Sequence, residues 1–170
     1  MSEPWASLYG EVWGELVRYI DRRVWDPERA QELAQEVFIR ALRETSIPES
    51  PRAWLFTVAA NLARDEARRA IRGREKLRLV GAEPRDGAPS PEELLAVEQT
   101  RERVRQALEA LNEREKDALL MVEAGFSYAE IAEATGLAPG AVGTTLSRAR
   151  RKVSAAYEEL EGGEDVQAAH

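Results

Sequence analysis

Between Ser127 and Val153 the chain reads SYAEIAEATGLAPGAVGTTLSRARRKV. Ser127 and Glu130 have the S-x-x-E spacing of a capping box, in which each side chain satisfies a free backbone N–H at a helix start. Gly136 is placed to stop that helix, and Pro139 is suited to the first turn of the next. Two short helices joined by a glycine-containing turn form a helix-turn-helix, whose second helix enters the major groove. If Val142, Leu146, Ala149 and Val153 face inward, Gly143, Thr144, Ser147, Arg148, Arg151 and Lys152 face outward, with Thr145 at the boundary. The cations suit phosphates, while the hydroxyls and small residues suit base edges and thymine methyls. No acidic residue occurs from Gly136 to Ser154.

A second basic island, NLARDEARRAIRGREKLRL, lies near mid-chain: residues 61–80 hold 7 basic and 3 acidic side chains. Both islands stand in an acidic background, the formal net charge being −7. Local field, not net charge, governs contact with a phosphate backbone. Enzymatic chemistry has little to work with. The single histidine is the terminal His170 and there is no cysteine, so no thiolate metal site, disulfide or cysteine nucleophile exists, and a Ser-His-Asp triad is very hard to build. Glu32 and Glu36, one turn apart, read as an exposed acidic face and not as an acid/base or metal pair. No metal site and no cofactor is expected.

The elements that position the islands are all helical, since no sustained period-two run occurs. A first helix spans about residues 5–25 and ends at Asp26-Pro27. A second, about 27–44, lines up Ala30, Leu33, Ala34, Val37, Phe38, Ala41 and Leu42. TSIPESPR is a loop. A third helix runs from about Pro51 through the basic island, with Trp54, Leu55, Val58, Ala59 and Leu62 as its apolar stripe. GAEPRDGAPSPEE carries no periodicity and reads as a flexible acidic linker. The expected fold is therefore all-α: an N-terminal helical domain at 1–76, a linker at 77–92, a helix-turn-helix domain at 93–160 beginning near Pro91, and a disordered tail at 161–170. In the second domain Asn112 can cap the helix EREKDALLMVEAG, with Gly125 as its stop. No window is apolar enough for a membrane span and no secretory signal opens the chain, so a cytoplasmic protein without membrane insertion is expected.

ALNEREKDALLMVEAGFSYAEIAEATGLAPGAVGTTLSRARRKV resembles domain four of the extracytoplasmic-function bacterial sigma factors. DPERAQELAQEVFIRAL resembles the polymerase-clamp-binding helix of that family, and SPRAWLFTVAANLARDEARR its promoter-melting segment. The resemblance covers about residues 5–157. It implies an alternative sigma factor that binds core RNA polymerase, at the largest-subunit clamp and the second-largest-subunit flap, and directs initiation through −10 and −35 recognition without bond chemistry of its own. Gln35, Glu36, Phe38 and Arg40 match the clamp contact. The loop holding Ser46, Ile47 and Pro48 matches the one that captures a flipped −10 base, and Asn61, Arg64, Arg68 and Arg69 match the helix that holds the single strand. Gly143, Thr144, Thr145, Ser147, Arg148, Arg151 and Lys152 would meet the −35 duplex. An anti-sigma factor is a candidate partner. Five positions depart from the family pattern: Gly143 and Thr145 stand where lysine and arginine are usual, Ala138 replaces the usual serine cap, and Asn112 and Glu113 replace the usual leucine-proline opening. A stand-alone helix-turn-helix regulator, and a degenerate sigma acting only through protein interactions, remain alternatives.

Overall fold

The computed structural model describes residues 3–74 and 91–168, all of whose elements are helices. They are α1 (Glu3–Val24), α2 (Pro27–Ala41), α3 (Pro51–Arg74), α4 (Pro91–Glu109), α5 (Glu113–Glu123), α6 (Tyr128–Thr135) and α7 (Val142–Ala168), with a short 3₁₀ turn, Pro139–Ala141, leading into α7. The linker expected at 77–92 lies outside the described residues up to 90, and from Pro91 the chain is helical. The tail expected to be disordered from Glu161 on is instead the last part of α7 as far as Ala168. No proline interrupts α7 after Val142, and Glu161 lies 3.9 Å from Arg103 on α4, which ties the extension to its neighbour.

Local chemistry explains the boundaries. Asp26 caps α2 by accepting from the backbone N–H groups of Glu28 and Arg29, each at 3.1 Å, with Pro27 in the first turn. α2 ends at Ala41, short of the expected residue 44, and Leu42 is left 46% exposed and not in the apolar stripe. Asn112 and Glu115 form a full capping box on α5, and Ser127 and Glu130 form another on α6. Gly125 and Gly136 adopt φ +83° and +70°, the left-handed region that costs a side-chain-bearing residue about 1–2 kcal/mol. Trp25 also takes a left-handed backbone, φ 58°, turning the chain from α1 into α2.

The N-terminal half packs α1 against α2 and α3 around Leu16, Ile20, Val37, Leu55 and Phe56, all fully buried. In the C-terminal half, α5, α6 and α7 enclose Met121, Ile131, Val142 and Leu146. The two halves do not stand apart: these residues belong to one continuous apolar cluster, with Phe56 of α3 edge-on to Phe126 at 4.6 Å between ring centroids. A second small cluster joins Trp25 to Leu108, Leu111, Leu119 and Ala149. Trp54 is half-buried and lies against Trp5, 6.0 Å between centroids, in keeping with its place on the apolar stripe of α3. No helix among the described residues is long and apolar enough to cross a membrane.

Replacing Ser127 with alanine is expected to lower stability by about 1 kcal/mol, seen as a reduced urea midpoint at unchanged slope. The Ser127 backbone N–H, against a smaller opposing effect of burial, holds the Glu130 carboxyl below its ordinary value. The stability contributed by the Glu130 carboxylate, as distinct from that of the serine oxygen, should therefore be present above the ordinary carboxylate range and vanish as pH falls through the depressed value.

Candidate nucleic-acid and polymerase interfaces

The second basic island does not lie free along α3. Arg64 points across to α5, its Nε 3.2 Å from Oδ2 of Asp117. Asp117 is 1% exposed and accepts the hydroxyl of Tyr19 on Oδ1 at 2.9 Å, with the Arg23 Nε 3.2 Å from the same oxygen as an ion pair and not a hydrogen bond. Arg23 in turn bonds Glu113. One buried carboxylate thus joins two arginines and a tyrosine from the N-terminal half to α5 of the other. Burial pushes the Asp117 carboxyl above its ordinary range, with Arg23, Tyr19 and Arg64 pulling it back. Burial and then the Asp117 charge push the Tyr19 phenol well above its own.

Around this knot lie further bonds between the halves. Arg52 donates to the Ala124 carbonyl at 2.6 Å and to Glu15 at 2.8 Å, and its guanidinium stacks 4.0 Å above the Phe126 ring. Ser50, at the end of the loop between α2 and α3, donates to Glu130 at 3.2 Å. Arg101 of α4 bonds Asp21 at 3.0 Å. Of the expected single-strand contacts, Asn61, Arg68 and Arg69 are exposed and Arg64 is half-buried. Arg68 lies 3.6 Å from Asp65 and Arg69 3.8 Å from Glu66, both on the surface, where ion pairs contribute little. The loop residue Ile47 is 46% exposed, with Ser46 exposed and Pro48 half-buried beside it.

On α2, Gln35, Glu36 and Arg40 share an exposed face, where Arg40 bonds Glu36 at 2.7 Å. Phe38 is not on it. It is 6% exposed and packs edge-on to Tyr9 at 4.8 Å, so it supports the helix from behind. The apolar residue on the outer face is Ile39, 49% exposed. The signal for it was in the sequence: Ile39 falls one turn after Gln35, off the stripe formed by Leu33, Val37 and Ala41. Glu32, like Glu36, has an arginine partner, Arg29 at 2.7 Å, as a solvated face would.

On α7, Val142, Leu146 and Ala149 are fully buried and Val153 partly so, which turns the expected face outward. Thr144, Ser147, Arg148 and Arg151 are exposed, while Gly143 and Thr145 are half-buried. Lys152 differs from the arginines: its ammonium reaches both oxygens of Glu115 at 2.8 Å. Glu115 is 3% exposed and its carboxyl is held below the ordinary value, the opposing effect of burial being outweighed by Lys152 and the Asn112 backbone together. Lys152 therefore braces α7 on α5. Among the described residues no group of His, Asp and Glu side chains is placed to hold a metal.

Comparison with known proteins gives this surface a context. Residues 8–73 match the Sigma-70 region 2 family and residues 101–153 the Sigma-70 region 4 family. The sigma factor SigL of Mycobacterium tuberculosis is 32% identical over 168 residues, covering 91% of this chain and 89% of the relative. The ferric citrate uptake sigma factor FecI of Escherichia coli is 30% identical over 146 residues, covering 84% of each. A solved structure of the sigma factor RpoE in complex with the anti-sigma factor NepR, from Bartonella quintana, superposes with TM-score 0.67 at 21% identity, covering 92% of this chain and 98% of that one. That likeness is one of fold.

Removing the Asp117 carboxylate takes a partner from the buried Arg23, which keeps Glu113, and from the half-buried Arg64, a change that costs up to about 3 kcal/mol. Asp117→Ala is expected to separate the halves while leaving each helical, measured as a larger radius of gyration in solution scattering with unchanged far-UV circular dichroism.

Proposed function

The chain belongs to the extracytoplasmic-function RNA polymerase sigma factors, alternative sigma factors that direct transcription initiation, and on that premise we propose how its own residues do so. The observation that carries the reading is the pairing, in one chain, of an outward α2 face with two separate nucleic-acid surfaces. Gln35, Glu36, Ile39 and Arg40 form the face for core RNA polymerase, with the apolar Ile39 at its centre and Phe38 behind it. Ser46, Ile47 and Pro48 accept a −10 base once it has left its stack, while Asn61, Arg64, Arg68 and Arg69 hold the strand. Ser147, Arg148 and Arg151 enter the −35 duplex, where arginine can serve guanine edges or phosphates. The domain assignment is 1–76 for the first part and 93–160 for the second. The protein performs no bond chemistry itself and acts in the cytoplasm, where the polymerase is.

The compact arrangement cannot read both elements. Their centres lie about 25 base pairs apart, roughly 85 Å at 3.4 Å per pair. A compact chain of this length has a radius of gyration of about 15 Å. Reading both elements requires the halves to part, and parting frees Arg64 from Asp117. The free chain thus hides part of its strand-binding surface and, being acidic overall, has weak affinity for DNA on its own. Polymerase then supplies the register that lets two modest contacts act together. An anti-sigma factor, the partner of RpoE in the Bartonella quintana structure, would act by favouring the closed arrangement.

Run-off transcription by core RNA polymerase from host genomic fragments is expected to yield transcripts that depend on this protein, with aligned start sites sharing −35 and −10 sequences. Core binding without transcripts would favour a degenerate, interaction-only protein, and neither binding nor transcripts would favour a stand-alone regulator. With the promoter in hand, Arg151→Ala should weaken holoenzyme binding and reduce the slope of log affinity against log salt by about one. Lys152→Ala should leave that slope nearly unchanged and lower the melting temperature instead.

A further inference from the structure

Gly143 is the second residue of α7, within the first turn that in a helix-turn-helix meets base edges. The family's lysine is absent there, and the neighbouring positions give no long side chain in its place. Thr144 is exposed, but its hydroxyl donates back to the Ala141 carbonyl at 3.0 Å. Thr145 is half-buried. The space above Gly143 is bordered by an aromatic ring. A Cβ built on it would have a single close neighbour, Cε2 of Tyr128, at 3.5 Å. Tyr128 is the first residue of α6, the helix that crosses the DNA backbone, and it remains 50% exposed.

We infer that Tyr128 is a specificity-determining residue for the −35 element, its ring lying in the gap left by Gly143 and reading the methyl group of a thymine in the major groove. This rests on the −35 role assigned above to α7. An aromatic edge against a thymine methyl is an apolar contact that distinguishes thymine from the other bases. The ring lies against α7 beside Gly143, where a Cβ would meet it at ordinary contact distance but a long side chain would not fit between ring and groove. A side chain longer than alanine at 143 would compete for the same space. An exposed tyrosine with two side-chain torsions brings a large apolar surface at low entropic cost. The uncharged stretch GAVGTT is then a platform for a ring supplied by the preceding helix.

The test uses the reconstituted holoenzyme on a promoter found by run-off transcription, with each −35 thymine replaced in turn by uracil, which removes only the methyl. At one position the wild type should lose about three- to fivefold in affinity, the worth of one buried methyl. Tyr128→Phe should keep that sensitivity, since the ring and not the hydroxyl reads the methyl. Tyr128→Ala and Gly143→Lys should abolish it at that position, while thermal melts show both variants folded. If Tyr128→Ala weakens binding equally on thymine and uracil duplexes, or if no thymine shows the effect in the wild type, Tyr128 is an anchor only and the inference is overturned. Selective initiation by the same holoenzymes separates this failure from that of the sigma reading, which falls only if no promoter-specific transcript appears.

Discussion

The arrangement of this protein depends on where one carboxylate is buried. Asp117 sits at 1% exposure where the two halves meet, and three side chains from the N-terminal half converge on it. A lone charge at such depth is prohibitive. Here Arg23 and Arg64 neutralise it and the Tyr19 hydroxyl takes one of its lone pairs. Such a network adds little net stability compared with an apolar core. It does favour one register, because sliding α5 against α1 and α3 would break the contacts of Tyr19, Arg23 and Arg64 with Asp117 together. The apolar contacts nearby, Phe56 on Phe126 and Arg52 stacked over it, then act at fixed separations.

That register divides the basic residues by task. Arg64 and Lys152 spend their charge on buried carboxylates, Asp117 and Glu115, and belong to the scaffold in the closed form. Arg148 and Arg151 point to solvent, as do Arg68 and Arg69. The distinction matters because the two surfaces are not available at once in the same way: α7 offers its outer face in the closed form, whereas part of the α3 surface is held against α5. A chain of formal net charge −7 with its cations sorted like this is poorly suited to binding DNA alone.

The capping residues show how local chemistry serves that design. α6 is only eight residues long, too short to be stable by itself. The Ser127–Glu130 box at its start and Gly136 at its end define it, and the burial of Ile131 and Ala132 holds it. Glu130 also takes the Ser50 hydroxyl from the other half, so the same carboxylate that caps the helix contributes to closure. Ala138, where a serine cap would be usual, leaves the 3₁₀ turn before α7 without a side-chain cap. Pro139 starts the turn instead.

Much was legible in the sequence because it rests on short-range chemistry. Helix starts and stops at Asp26, Asn112, Ser127, Gly125 and Gly136 follow from which residues can satisfy a free N–H or adopt positive φ. The inward stripe of Val142, Leu146 and Ala149 follows from helical periodicity. The outward positions of α7 came with it, as did two basic islands and an all-α chain. Other features required the tertiary structure, because they depend on contacts between residues far apart in the chain. Phe38 reads as part of an interaction motif until Tyr9 and Trp13 are seen to cover it. Arg64 and Lys152 look like any other cations of their islands until Asp117 and Glu115 are placed opposite them. Tyr128 and Gly143 are fifteen residues apart, and only the fold of the turn brings ring and glycine together. Periodicity assigns a face to each residue of a helix, but it carries no information on what the next helix sets against that face.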